Sequence, residues 1–234
     1  MKYCIHSEYL TKDESLVLIE QGYRTVALPK SVSLNCAVCD HPDLSLFLLD
    51  GCAFTTEEHA DYLKECIPSL PLHIIKTDRQ GSYPSDAALC VLTVGKRAFY
   101  NEECIPDTVL CALRARDYSL HEVKQGYAAC TVLALDDAHA VTADVGMARA
   151  LERAGIEVLT IENGDILLPP YPYGFIGGAC GVVGNTVYTM GNLATHRCGE
   201  EILAFIERIG MHTVSLSGGM LRDRGRLLFF EDDL

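Results

Sequence analysis

The feature that most constrains the fold is a glycine followed by an alternating, β-branched segment, which occurs more than once. Three copies are present: Gly22–Leu28, Gly155–Ile161 and Gly210–Leu216. Each glycine suits the left-handed position that follows the last turn of a helix, and the alternation is typical of a strand. Two looser copies, Leu70–Ile75 and Asp117–Val123, lack the glycine. The sequence therefore predicts five junctions from helix to strand.

Apolar residues at helical spacing precede each junction and predict five amphipathic helices. The five stripes are Leu16 and Ile19; Ala60, Leu63 and Ile67; Val109, Leu110 and Leu113; Met147, Ala148, Leu151 and Ala154; and Ile202, Phe205, Ile206 and Ile209. Two of the helix starts have the spacing of a capping box, Thr11 with Glu14 and Thr55 with Glu58. In that motif, a hydroxyl and a carboxylate satisfy opposing backbone amides.

Two short strands are predicted upstream of four of these helices. The first strands carry small residues that lead into a cysteine: Asn35–Cys39, Ala87–Cys90, Ala128–Cys130 and Gly177–Cys180. The second strands are hydrophobic runs: Leu46–Leu49, Arg97–Tyr100, His139–Thr142 and Thr186–Thr189. The order strand, strand, helix, strand therefore repeats four times.

The remaining termini supply the elements of a fifth unit. The units are expected at about 31–78, 84–123, 124–163 and 173–218, with 220–234 joined to 1–30. A unit of this size cannot bury its helix face alone, whereas five units in a ring can. We therefore expect a single domain over 1–234, a five-fold pseudo-symmetric α/β propeller of ββαβ units closed by pairing of the N- and C-terminal strands. A doubly wound parallel sheet is the alternative, and it predicts longer first strands and no such pairing.

Charge and composition exclude several classes of partner. The chain of 234 residues has 19 Lys and Arg against 32 Asp and Glu, a net charge of −13. Nucleic acids and anionic membranes are bound mainly by clustered basic residues, so neither is expected as a partner. No apolar run approaches the length of a membrane span, and no signal peptide is expected at the N-terminus. The eleven cysteines are scattered through apolar segments, which favours reduced thiols in a cytoplasmic protein.

The predicted ring of ββαβ units with small residues on its inner strands resembles the pentein superfamily, the guanidino-group-modifying enzyme fold. Four segments, Val123–Cys130, Thr142–Asp144, Gly174–Gly181 and Met190–Asn192, are similar to an uncharacterised bacterial family of that fold. The resemblance implies one of two functions. Catalytic penteins attack a guanidinium carbon with a cysteine thiolate, assisted by a histidine and by carboxylates that hold the cation. Other penteins are binding proteins without chemistry.

Cys180 is the candidate nucleophile that the resemblance indicates. It ends the run Gly177-Gly-Ala-Cys180, which resembles the glycine-rich setting of the family's nucleophile. Glycines there would let a planar substrate approach the backbone. The alternative is simple packing in a tight ring, because Cys39, Cys90 and Cys130 occupy analogous positions in the other units.

Two histidines are candidates for proton transfer. His41 lies in Asp40-His-Pro-Asp43, from which it could reach the rim of the channel, and His196 follows Asn192 before a predicted helix. An imidazole has a suitable pKa for a general acid or base near neutral pH. The alternative for His196 is a role in capping the helix.

Polar side chains at strand ends are candidates for the rest of the site. Six are expected near one mouth of the channel: Asn35, Asp86, Lys124, Gln125, Asp144 and Asn192. Asp86 and Asp144 would hold a substrate cation, with Asp144 grouped with the catalytic residues, because charge-assisted bonds to carboxylates are strong. Helix capping is the alternative for Asp144 and Asn192.

Cofactors and metals are not expected. Gly218-Gly219 and Gly177-Gly178 are not followed by helices in the way that phosphate-binding loops require. Cys36-x-x-Cys39 lacks the second pair that a structural zinc site needs. The sequence thus leaves two hypotheses: a cysteine-dependent enzyme acting on a C–N bond of a small guanidino or amidino compound, or a non-catalytic protein that binds a small molecule or protein through the channel.

Overall fold

The computed structural model describes residues 1–76 and 83–232. Its strands are β1 (Lys2–Ser7), β2 (Arg24–Leu28), β3 (Leu46–Leu49), β4 (Cys52–Thr55), β5 (Leu72–Ile74), β6 (Leu92–Val94), β7 (Arg97–Tyr100), β8 (Ser119–Glu122), β9 (Val132–Ala134), β10 (His139–Thr142), β11 (Glu157–Thr160), β12 (Ile166–Leu167), β13 (Cys180–Val183), β14 (Thr186–Thr189), β15 (His212–Ser215), β16 (Leu221–Arg222) and β17 (Leu228–Glu231). Its α-helices are α1 (Lys12–Glu20), α2 (Pro42–Ser45), α3 (Glu57–Cys66), α4 (Asp107–Ala115), α5 (Ala128–Thr131), α6 (Val145–Arg153) and α7 (Gly199–Arg208). Two 3-10 turns cover Ser85–Ala87 and Leu193–Thr195. The fold of the described residues is thus a mixed α/β fold with small sheets.

Five of the sheets have three strands and share one connectivity. Their orders are β3-β4-β5, β6-β7-β8, β9-β10-β11, β13-β14-β15 and β17-β1-β2. In each, the middle strand is antiparallel to the first neighbour and parallel to the second. The parallel step passes through one long helix, in the order α3, α4, α6, α7 and α1. The predicted order of strand, strand, helix, strand is therefore present.

The N- and C-terminal strands are paired, as predicted. β1 and β17 form an antiparallel ladder in which Tyr3 is opposite Phe230 and Ile5 is opposite Leu228. Because this ladder joins positions more than 220 residues apart, it holds the two ends of the chain against the same sheet.

The predicted first strands are wrong in position. The segments with small residues form turns, a 3-10 turn or the short helix α5, and the ladder begins after them at β3, β6 and β9. In the fourth unit it begins at Cys180, the last residue of the predicted segment. Alanine favours helical conformations over strands, which explains the turn of α5 at Ala128. In the first unit, Leu46–Leu49 is consequently the first strand rather than the second, and Cys52–Thr55 is the second.

The glycines of the three clear junctions adopt the predicted conformation. Gly22, Gly155 and Gly210 have φ values of +88°, +80° and +77°, each just beyond the end of a helix. In one of the looser copies, Asp117 takes the same role with φ +58°. Aspartate tolerates this region better than most residues, which is why the junction forms without glycine.

Four of the five helical stripes are buried, and the stripe of α1 is wrong. Leu16 and Ile19 are about half exposed, whereas Leu18 is fully buried. α1 turns Glu14 and Leu18 inward, because Glu14 serves the cap of the helix and also accepts a hydrogen bond from the Ser217 hydroxyl. Among the described residues, no helix has the length and apolarity needed to cross a membrane.

The capping box at Thr11 is confirmed, and the one at Thr55 is wrong. The Thr11 hydroxyl accepts from the Glu14 amide, and the Glu14 carboxylate accepts from the Thr11 amide. Thr55 instead ends β4, where its hydroxyl donates to the Ser45 carbonyl. α3 therefore begins one residue later, after Thr56, whose side chain makes no capping bond.

Thr11→Ala is expected to lower the free energy of unfolding by about 1 kcal/mol, because it removes the hydroxyl that satisfies a helix amide. Thr56→Ala is the matched control and should cost only a few tenths of a kcal/mol, since no capping bond is lost. Urea denaturation monitored by circular dichroism measures both values. Equal losses in the two variants would contradict this account of the caps.

Candidate functional site

The most concentrated group of reactive side chains in the described residues is formed by His41, Asp43 and Cys130. One nitrogen, one oxygen and one sulfur from these side chains all lie within 4.8 Å of one another. All three residues are buried, with exposed fractions of 2–3%. The start of α2 places His41 and Asp43, and α5 places Cys130. We call this group the His41 cluster.

Cys130 is at the centre of the His41 cluster. Its thiol donates a hydrogen bond to Asp43 Oδ2 at 2.9 Å, and its Sγ lies 3.4 Å from Cys90 Sγ. Burial, together with the hydrogen bond to Cys90 and the charge of Asp43, raises the pKa of Cys130. The thiol is therefore protonated at rest, and its hydrogen bond to Asp43 fixes its orientation.

Two carboxylates surround His41. Asp223 Oδ1 lies 3.8 Å from His41 Nδ1, and the Asp223 carboxylate also accepts from the Phe175 and Gly225 amides at 2.8 and 3.2 Å. Burial raises the pKa of both Asp43 and Asp223, and the charge of His41 opposes that rise in each. The cluster therefore holds its acids in a desolvated environment where a positive charge would be strongly favoured.

An aromatic cavity of about 400 Å³ opens onto the His41 cluster. His41, Cys130 and Asp223 are among the residues that line it. Four tyrosines and a phenylalanine form most of the remainder: Tyr83, Tyr127, Tyr171, Tyr173 and Phe175. We call it the tyrosine cavity. Its size suits a small organic molecule, and its aromatic faces suit a planar or cationic group.

The polar contacts of Tyr127 connect the tyrosine cavity to Asp86. The Tyr127 hydroxyl donates to Asp86 Oδ2 at 2.7 Å, and its ring lies 5.4 Å from that of Tyr83. Burial and this hydrogen bond raise the pKa of Tyr127. Asp86, one of the predicted site residues, therefore fixes a wall of the cavity rather than facing it directly.

A second cavity of about 280 Å³ collects three other predicted residues. Gln125, Asp144 and His196 line it, and Tyr173 and Phe175 lie between it and the tyrosine cavity. Gln125 donates to Asp144 Oδ2 at 2.8 Å, while Asp144 Oδ1 caps α6 by accepting from the Met147 amide. His196 Nδ1 accepts from the Cys198 amide, and burial lowers the pKa of His196.

The other predicted residues lie apart from the His41 cluster. Asn35 and Asn192 accept hydrogen bonds from amides two residues ahead, at Ala37 and Ala194. The Lys124 carbonyl accepts from Tyr83 and Asn101, and Lys124 borders a more open cavity of about 600 Å³. The capping alternative considered for Asp144 and Asn192 is therefore present in the structure, with Asn192 capping a 3-10 turn.

Cys180 is fully buried and belongs to an apolar cluster that includes Ile176, Ala179 and Ile206. Burial raises the pKa of its thiol to about 12. Its glycines also serve packing: a Cβ on Gly177 would lie within 2.6 Å of the carbonyl oxygens of Ala129, Cys130 and Val132. The charges of Arg226 and Asp223 also act on this thiol, the first lowering and the second raising its pKa.

Three residues of the His41 cluster and its surroundings were not among the predicted site residues: Asp43, Cys130 and Asp223. Asp43 stands in the same short run as His41, and Cys130 occupies the place in its repeat that Cys180 occupies in another. The sequence therefore contains a signal for Asp43 and for Cys130. Asp223 has no such signal, because it enters the site only through the packing of the C-terminal segment against Gly178 and His41.

Solved structures with a similar fold include an agmatine deiminase, DDAH and an amidinotransferase. C. jejuni agmatine deiminase with substrate bound has a TM-score of 0.58 at 8% identity, and the match covers 98% of this chain and 93% of that chain. DDAH from Pseudomonas aeruginosa complexed with citrulline has a TM-score of 0.57 at 12% identity, with 95% and 92% covered. Inosamine-phosphate amidinotransferase from Streptomyces griseus has a TM-score of 0.56 at 16% identity, with 92% and 77% covered. At these identities the similarity shows the fold alone, which agrees with the predicted pentein-like fold.

Sequence comparison gives the family. No curated protein sequence matches the chain. Residues 5–228 match the profile of a family of unknown function, DUF6873. Because this match covers nearly the whole sequence, the chain belongs to the family DUF6873.

Proposed function

We propose that this protein is a cysteine-dependent enzyme with Cys130 as its nucleophile. It breaks a C–N bond of a small guanidino or amidino compound, either by hydrolysis or by transfer of the amidino group to an acceptor. The observation that carries the proposal is the His41 cluster, in which a thiol, an imidazole and a carboxylate lie within 4.8 Å of one another. The thiol of Cys130 and the imidazole of His41 belong to residues that line the tyrosine cavity. A nucleophile beside a base that a third group orients is the general arrangement for covalent catalysis. The structural neighbours that modify guanidino groups support the same general kind of chemistry.

The surroundings of the tyrosine cavity favour a planar cation as substrate. The tyrosine faces would contact the cation, and Asp223 would form charge-assisted hydrogen bonds with its N–H groups. Asp86 would support this wall through Tyr127. Gln125, Asp144 and His196 in the adjacent cavity are proposed to contact the rest of the molecule, and no such role is proposed for Asn35, Lys124, Asn192 or Cys180.

The proposed reaction begins with transfer of the Cys130 proton within the His41 cluster, from sulfur to His41, while Asp43 aligns the thiol. The sulfur attacks the amidine carbon and forms a C–S bond. The C–N bond then breaks, and His41 delivers the proton to the leaving nitrogen. Water or an acceptor amine gives a proton to His41 and attacks the same carbon, the C–S bond breaks, and His41 returns that proton to the sulfur.

We further propose that the chain is a single domain in which the five three-stranded sheets form a closed five-fold propeller, with the His41 cluster near its axis. The β1–β17 ladder and the common connectivity of the five sheets support this arrangement. Kinship with a bacterial family and a cytoplasmic location remain predictions from the sequence.

A protection experiment tests the function directly. We expect agmatine or methylguanidine to slow the alkylation of Cys130 by iodoacetamide, because either cation would occupy the tyrosine cavity. The exposed thiols Cys36 and Cys111 are internal controls and should react at unchanged rates. Mass spectrometry of the alkylated peptides measures each rate, and release of ammonia or amine from a panel of guanidino and amidino compounds measures turnover. Protection without turnover would indicate a binding protein. The absence of both protection and turnover would contradict the proposal.

A further inference from the structure

The His41 cluster has the composition of a zinc-binding site. It brings together an imidazole nitrogen, a carboxylate oxygen and a thiol sulfur, all buried and within 4.8 Å of one another. Zn²⁺ accepts all three donor types, whereas Mg²⁺ and Ca²⁺ prefer oxygen donors. Three protein ligands with one open position is the arrangement of a zinc site that remains accessible to small molecules.

Two further observations point to a cation at this position. Asp43 Oδ1 is buried and has no hydrogen-bond partner among the described residues, although Oδ2 accepts from Cys130. A buried carboxylate oxygen without a partner is unfavourable, and a metal ion bound there would satisfy it. The tyrosine cavity reaches His41 and Cys130, so the cluster also has an entry path and space for a fourth ligand.

The charges of the cluster also balance around a divalent cation. With Zn²⁺ bound, the Cys130 thiolate, Asp43 and Asp223 would supply three negative charges. Zn²⁺ and Arg226, whose charge acts on Asp43, would supply three positive charges. Asp223 faces His41 at 3.8 Å, as carboxylates outside a metal's ligand set often do to orient an imidazole ligand.

We propose that His41, Asp43 and Cys130 bind one Zn²⁺ ion, with the fourth position open to the tyrosine cavity. Binding forms a Zn–S bond and releases the Cys130 proton to the solvent. A zinc-bound imidazole nitrogen cannot take up or deliver the proton that the proposed reaction moves through His41, so bound Zn²⁺ should block that reaction. This last consequence rests on the proposed function, whereas the binding itself does not.

The test is metal binding by the full chain after removal of metals with a chelator. Titration with Zn²⁺ in competition with a chromophoric chelator should give one tight site per chain. Cys130→Ser and His41→Asn should each weaken it at least tenfold, by analogy with the losses of about 10–100-fold seen even for outer groups. Co²⁺ in place of Zn²⁺ should show thiolate charge-transfer absorption in the unmodified protein.

The double variant Cys36→Ser, Cys39→Ser is the matched control, because those cysteines lie just before His41 in the sequence and could bind Zn²⁺ themselves. It should bind Zn²⁺ as tightly as the unmodified protein. Loss of the site in this control, unchanged affinity in folded Cys130→Ser and His41→Asn, or absence of both Zn²⁺ binding and cobalt–thiolate absorption would overturn the proposal. If a variant fails to fold, the cobalt spectrum of the unmodified protein together with the control decides.

The two proposals fail in different ways. Turnover by metal-free protein that binds no Zn²⁺ would contradict the metal site alone. Tight Zn²⁺ binding by a protein whose metal-free form shows neither turnover nor protection of Cys130 would contradict the enzymatic function alone.

Discussion

Cys130→Ser is expected to lower kcat/KM for a guanidino or amidino substrate by about 1,000-fold or more, because it removes the atom that forms the covalent bond with the substrate. Serine preserves the size of the side chain and a hydrogen bond to Asp43, so the architecture of the tyrosine cavity should persist. The measurement is steady-state release of ammonia or amine by metal-free protein, on the best compound of the panel.

Cys180→Ser is the matched control for this prediction. Both variants replace a buried thiol with a hydroxyl, so their losses of stability should be similar, and a difference in activity isolates the chemistry. Cys180→Ser should retain kcat/KM within about tenfold, since its surroundings are apolar core. The reverse outcome, with Cys180→Ser inactive and Cys130→Ser active, would show that the sequence-based candidate is the nucleophile.

Gly177→Ala is expected to lower the free energy of unfolding by about 3 kcal/mol or more. The new Cβ would lie 2.6 Å or less from three backbone carbonyl oxygens, those of Ala129, Cys130 and Val132. Backbone atoms cannot move aside as the end of a flexible side chain can, so the turn before β13 and the segment around α5 must separate. Because Cys130 lies in that segment, activity should fall as well. Urea denaturation gives the stability change.

Gly218→Ala is the control, because a Cβ there would meet no atom within 4 Å. It should change the free energy of unfolding by no more than about 0.5 kcal/mol. If Gly177→Ala proved as mild as Gly218→Ala, the close contact between the Gly177 turn and α5 would not exist in solution.

The sequence by itself determined the repeated connectivity, because the signals for each helix and each junction lie within a few neighbouring residues. A helix buries a stripe, and a glycine such as Gly155 ends it in a left-handed conformation that few other residues adopt easily. Local patterns were less informative where segments are short. The small residues at Ala87–Cys90 and Ala128–Cys130 fit a strand by position but form a 3-10 turn and α5. The stripe of α1 was wrong because Glu14 turns inward to the cap and to Ser217.

The tertiary structure decided the candidate site. His41 could be proposed from the sequence, but its neighbours Cys130 and Asp223 are separated from it by about 90 and 180 residues along the chain. All four repeated cysteines look alike in the sequence. The packing of α2, α5 and the C-terminal segment decides which of them lies next to an imidazole. The physical reason is that the reactivity of a side chain depends on its burial and on its distance from other reactive groups. Both are set by residues that are far away in the sequence and meet only in the folded chain.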